Sequence, residues 1–137
     1  MELTAANALD FVLTALCCYR EARGESIDGK RGVAWAVCNR ARAPKWWGNT
    51  PASVVTKPWQ FSSFNKGDPN VTVWPVDGDP VWLDCCTAAL EAMANETPDP
   101  TSGATHYYDE TIAPPSWTVG ATATATIGKL HFYKDVP

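Results

Sequence analysis

Helix signals fill this chain as far as Asn95 and strand signals fill the remainder, a segregation that leaves α+β as the expected fold class. Ala8, Phe11, Val12, Ala15, Leu16 and Tyr19 recur at three- and four-residue steps, which predicts a first helix burying one face. Asp28 reads as the cap of a second helix running to about Arg42, with Val33, Ala36 and Val37 inward and Pro44 stopping it. Thr50-Pro51 and Asp79-Pro80 each pair a capping side chain with proline at the first helical position. They open a short helix to about Thr56 and a longer one to about Asn95. Between these, Phe64 to Gly78 is rich in Gly, Pro, Asp and Asn and reads as a long loop of the sort that borders a site. After Pro98-Asp99-Pro100, the runs Thr105–Tyr108, Thr118–Thr126 and Leu130–Tyr133 predict a small antiparallel β region.

A chain of 137 residues fits one domain, expected to span residues 1–137 and to bury roughly two thirds of its unfolded surface. Its net charge of -4, its pI near 5.0 and the lack of any Lys/Arg run argue against a nucleic-acid partner. The N-terminus carries Glu2 and Asp10 and does not look like a signal peptide, and the longest apolar run, Phe11 to Cys18, is too short for membrane insertion. The expectation is a monomer kept in a cytoplasm until something releases it. The five cysteines include the adjacent pairs Cys17-Cys18 and Cys85-Cys86 on helical patterns. Neighbouring side chains on a helix diverge by about 100°, so neither pair suits a shared metal, and buried thiols are expected. Neither metal nor cofactor is called for.

The chemistry is expected at Tyr19-Arg20-Glu21-Ala22-Arg23-Gly24-Glu25, where the first helix ends at the chain's first glycine. Glu21 falls in the last turn. Unpaired carbonyls and the negative end of the helix dipole disfavour a carboxylate there, and burial among aromatics would raise its pKa further. A carboxyl held protonated near neutral pH serves as a general acid. The plainer reading is a solvated helix end beside an arginine. Seven tryptophans form the second signal: Trp46, Trp47, Trp59, Trp74 and Trp117 fall in loops or element ends, while Trp35 and Trp82 lie on helices as core. Sugar rings present flat C–H faces that stack on indole, so loop tryptophans near a cleft suit a glycan.

The stretch from Glu21 through Arg40 resembles the opening signature of the spore-cortex-lytic type of cell wall hydrolases. Gln60-Phe61-Ser62 is similar to that family's Gln-Phe-Ser motif. Gly103 to Asp109 with Pro115-Ser116-Trp117 resembles its aromatic block, and Ile127-Gly128 with His131-Phe132-Tyr133 its closing strand. The resemblance runs from about Leu13 to Tyr133. It implies a mainly helical, lysozyme-like domain that cleaves peptidoglycan glycan strands, usually as a lytic transglycosylase. Glu21 would then be the catalytic acid and base, protonating the glycosidic oxygen after N-acetylmuramic acid and taking a proton from that sugar's own 6-hydroxyl. With no export signal, such an enzyme would be a phage endolysin or a virion-borne lysin, and its acidity favours a thin wall of Gram-negative type.

Candidate substrate-binding residues in the matching blocks are Glu25, Gln60, Phe61, Ser62, His106, Tyr107, Tyr108 and Trp117. Gly24 is expected to break the helix and turn Glu25 away, toward Arg23 or Lys30. Strand alternation puts His106 and Tyr108 on one face and Tyr107 on the other, without saying which faces the cleft. Two other chemistries stay open. A hydrolytic muramidase would need a second carboxylate, for which Asp28, Asp68, Asp77 and Asp109 are the candidates. A wall peptidase or amidase would need an activated thiol, for which Cys38 with His106 is the arrangement to examine.

Overall fold

In the computed structural model, which describes residues 2–137, helix α1 (Ala5–Ala22) starts at Thr4, whose hydroxyl accepts the Asn7 amide while the Asn7 side chain accepts the Thr4 amide. The stripe through Phe11, Ala15, Cys18 and Ala22 faces the core; Val12, one residue off that stripe, is exposed rather than buried. Helix α2 (Ile27–Arg42) is capped by Ser26 and not by Asp28. The Ser26 hydroxyl accepts the Gly29 amide, while Asp28 sits in the first turn and pairs with Arg31 at 3.1 Å. From Gly32 to Cys38 every residue of α2 is buried, because α1 and α4 pack against it from different sides.

The proline-started helices form where the sequence puts them, α3 at Pro51–Thr56 and α4 at Pro80–Ala94, with Asn95 ending α4 in the left-handed region at φ 54. Among the described residues no helix is long and apolar enough to cross a membrane.

Strands β1 (His106–Asp109), β2 (Thr122–Ile127) and β3 (Leu130–Lys134) form an antiparallel sheet in the order β1-β3-β2. The expected strand from Thr118 is therefore four residues too long at its start. Ser116–Thr118 makes a 3-10 turn, and Gly120 at φ +82 turns the chain again before pairing begins. Pairing register decides what the sheet offers the helices. Tyr107 lies opposite Phe132 and Asp109 opposite Leu130, and since Leu130 and Phe132 are buried, that face points inward. His106 and Tyr108 lie opposite Tyr133 and His131 on the outer face.

Phe132 packs directly on α2 at Gly32, where an added Cβ would stand 2.4 Å from the ring's Cζ. Gly32→Ala should therefore destabilise by about 2 kcal/mol, since overpacking a fully buried ring outweighs alanine's better helix propensity of about 1 kcal/mol. A urea midpoint unchanged from wild type would show that Phe132 can move aside at no cost.

Candidate active site

Glu21 ends half-buried at the last turn of α1, and its Oε1 accepts the Ser63 hydroxyl at 3.0 Å. Burial pushes its carboxyl above the usual glutamate range; hydrogen bonding from Ser63 opposes the rise, and the nearby Asp68 carboxylate adds to it. Asp68 lies in the Phe64–Gly78 loop expected to border a site and Ser63 immediately before it, and the preceding residue of α1 holds this segment in place. Arg20 is buried and donates to three loop carbonyls: Val73 at 3.0 Å, Val71 at 2.9 Å and Ser63 at 3.3 Å. Its guanidinium lies 4.8 Å from the ring centroids of both Phe64 and Trp74.

The cleft beside Glu21 has one wall from the segment Trp59-Gln60-Phe61-Ser62 and another from β1 and the residues after it. Arg40 at its base is buried, donates to the Thr105 carbonyl at 2.6 Å and to Gln60 Oε1 at 3.4 Å, and lies 5.3 Å from the Phe61 centroid. Gln60 is thus oriented by Arg40, and Phe61 is a buried support rather than an exposed contact. Tyr107 is the strand tyrosine that turns inward. Burial raises its pKa most, and the Glu21 charge raises it further while Arg40 opposes, so the phenol stands within electrostatic reach of both. Tyr108 borders the cleft too, but its ring lies on the outer face, stacked on His131 at 5.1 Å.

Four expectations need correction. Glu25 does not pair with Arg23 or Lys30: Lys30 donates to the Glu25 backbone carbonyl, and Arg23 reaches Asn70 Oδ1 at 3.1 Å. The Glu25 carboxylate instead lies against the β2–β3 turn, where a Cβ on Gly128 would stand 2.8 Å from Oε2. There it borders a small recess with Glu21, Asp109 and Lys129. His106 is not in the cleft. Its ring lies between Trp47 at 5.7 Å and Trp117 at 5.2 Å, facing a separate recess with Lys45 and Trp46; burial, then Arg40 and Lys45, push it down to about 4. Trp117 is likewise an outer-face ring, packed on His106, Tyr108 and Tyr133. Trp47 is core, its indole donating to the Arg40 carbonyl at 2.9 Å.

The thiol chemistry has no support. Cys38 lines a recess with Asp10, Arg42 and Asn49, apart from the one that holds His106, and burial pushes its thiol up to about 11. All five cysteines are unpaired and all but Cys86 are buried.

Sequence reasoning missed Ser63, Arg20 and Arg40. The doubled serine at 62 and 63 gave no basis for preferring the second, which is buried against Glu21 while Ser62 is exposed on the cleft wall. A polar side chain on the residue before a predicted acid was the available sign for Arg20.

The profile of the family described as Cell Wall Hydrolase matches residues 24–133, a span that starts three residues past Glu21. Among curated relatives, the spore cortex-lytic enzyme of Halalkalibacterium halodurans is 30% identical over 90% of this chain, and that of Bacillus subtilis 27% identical over 90%. The chain spans only 34% and 37% of their lengths. The catalytic domain of the Bacillus cereus SleB protein superposes with a TM-score of 0.75 at 27% identity, covering 96% of this chain and 94% of that one. The catalytic domain of the germination-specific lytic transglycosylase SleB from Bacillus anthracis does so with 0.75 at 26% identity, covering 97% and 100%. The fold is the mainly helical, lysozyme-like α+β type of those domains.

Proposed function

Since the chain belongs to the cell wall hydrolase family, we propose that its cleft cuts the glycan strands of peptidoglycan, with Glu21 as general acid and base of a lytic transglycosylase. The observation that carries this reading is a single desolvated carboxyl, its pKa raised, set in a cleft with indole and phenol walls. Protonated Glu21 gives its proton to the oxygen linking the muramyl sugar to the next glucosaminyl sugar, and the bond from the anomeric carbon to that oxygen breaks. The muramyl carbon is left with cationic character. Glu21, now a carboxylate, takes the proton from the same sugar's 6-hydroxyl, and that oxygen closes on the anomeric carbon as a 1,6-anhydro ring. Glu21 ends as it began and no water is consumed. The Ser63 hydroxyl fixes one carboxyl oxygen, which leaves the other for the substrate. Because Glu21 must start protonated, kcat/KM should fall as pH rises through its raised pKa, with the alkaline limb above the ordinary glutamate range.

Asp109 supports one alternative, a hydrolytic muramidase. Its carboxylate is held below the usual range, chiefly by the Thr111 amide, so it stays charged, and it borders both recesses that touch Glu21. An inverting route would use it to activate water across a gap of about 6.5 to 9.5 Å. Mass spectrometry of digested sacculi separates the two. Anhydro-muramyl ends, with Asp109→Asn retaining most of the lysis, are expected; reducible ends together with an Asp109→Asn loss as severe as that at Glu21 would establish the muramidase.

We infer that residues 1–137 form one catalytic unit that works as a monomer without a cofactor. On its acidic charge we place it at a thin wall of Gram-negative type. Faster digestion of Gram-negative sacculi than of walls bearing anionic polymers, most marked at low salt, is the result that setting requires.

A further inference from the structure

Trp59 stands against the preference of its own backbone. Lys57, Pro58, Trp59 and Gln60 form a reverse turn closed by the Gln60 amide donating to the Lys57 carbonyl at 3.2 Å, with proline second and Trp59 third at φ 68. A third position with positive φ selects glycine or asparagine, and a bulky side chain there is strained. The Asn65 side chain braces the turn by accepting the Trp59 amide at 3.0 Å. Trp59 as a residue is 81% exposed.

The other exposed tryptophans have covers: Trp46 rests on Trp47 at 5.5 Å, and Trp74 lies under Arg20. Trp59 alone of the seven has neither an aromatic nor a cationic partner among the described residues. It nonetheless lines the cleft that holds Glu21. Strain and a bare indole are both unfavourable to folding, and no packing in the free protein offsets them, a combination that marks a ligand contact.

We propose that Trp59 is the stacking platform of a sugar subsite beside Glu21, covered by the C–H face of a neutral pyranose of the N-acetylglucosamine type. This rests on the cleft being a glycan site. Among the described residues no cation sits over the indole, which leaves its face to an uncharged ring, and the further apolar lining from Ile112 and Pro115 suits a flat one.

The test uses the full chain. In the Glu21→Gln protein, a tetramer of N-acetylglucosamine should give a saturable change in tryptophan emission, and adding Trp59→Ala should weaken its affinity about tenfold and remove most of the signal. In the active protein, Trp59→Gly should raise KM about tenfold on soluble glycan with kcat little changed, while Trp59→Phe keeps most of the affinity. Thermal unfolding is the control for a purely structural role. Glycine relieves the positive φ, so Tm should hold or rise, whereas a structural tryptophan would lose Tm and kcat together. A protein that lyses walls equally well with Trp59→Gly, at unchanged KM, overturns this subsite alone. One that neither lyses purified walls nor binds the tetramer overturns the glycan reading and the subsite with it.

Discussion

Glu21→Gln should reduce wall lysis by about a thousandfold or more while the protein stays folded, because general acid and base catalysis at this barrier contributes about 10² to 10⁴ and one group supplies both steps. The amide keeps the carboxyl's size and can still accept the Ser63 hydroxyl, so the cleft should keep its shape. Stability should move in the opposite direction to activity. A carboxyl whose folded pKa exceeds its unfolded one gives stability that is complete below the unfolded pKa and lost as pH rises through the folded pKa. Above its raised pKa the wild type has lost it, so there the glutamine variant should be the more stable, with about 0.5 kcal/mol of that from removing a charge at a helix C-terminus. Turbidity loss near the wild-type rate in the purified variant would end the assignment of Glu21.

Arg20→Met should lose both stability and activity. Methionine keeps the stem but strands three backbone carbonyls and leaves the Phe64 and Trp74 rings without their cation. Water can reach some of these groups, so a cost of about 3 kcal/mol is expected rather than the full sum for three charge-assisted bonds. Lysis should fall about a hundredfold even where the variant is fully folded, since Ser63 is carried by the loop that Arg20 holds and small misplacements of a catalytic partner are expensive. Urea unfolding gives the first quantity. Lysis rates well below the midpoint give the second, and full activity there would mean the loop holds its place without Arg20.

The helices were legible because their signals are local. Thr50-Pro51 and Asp79-Pro80 open α3 and α4, and the end of α1 puts Glu21 in its last turn. Ser26 was missed as the cap of α2 because Asp28, two residues on, is an equally good capping type, and only the path of the chain out of α1 chooses between them. The sheet was legible in kind and not in register. Alternation separated Tyr107 from Tyr108, but which of them faced Glu21 depended on the pairing of β1 with β3, and Phe132, buried against Gly32, decides it. That same pairing carried His106 to the outer face, where Trp117 packs on it from the 3-10 turn before β2. Ser63 and Arg40 belong to the site through contacts between residues distant in the chain, which no motif spacing reports.

Arg20 and Glu21 are consecutive, so any rocking of the last turn of α1 carries the acid and the loop bearing its serine together. In mechanical terms the motion is common-mode: it displaces the pair through space and leaves their separation alone. The opposite wall, with Tyr107 and Asp109, is mounted on the sheet and is tied to the Gln60 wall at the base of the cleft, where Arg40 donates to both Thr105 and Gln60. The low-stiffness coordinate of the cleft is therefore the width of its mouth, away from that tie. The strand can be admitted and released along it while the proton donor and its partner keep a fixed geometry.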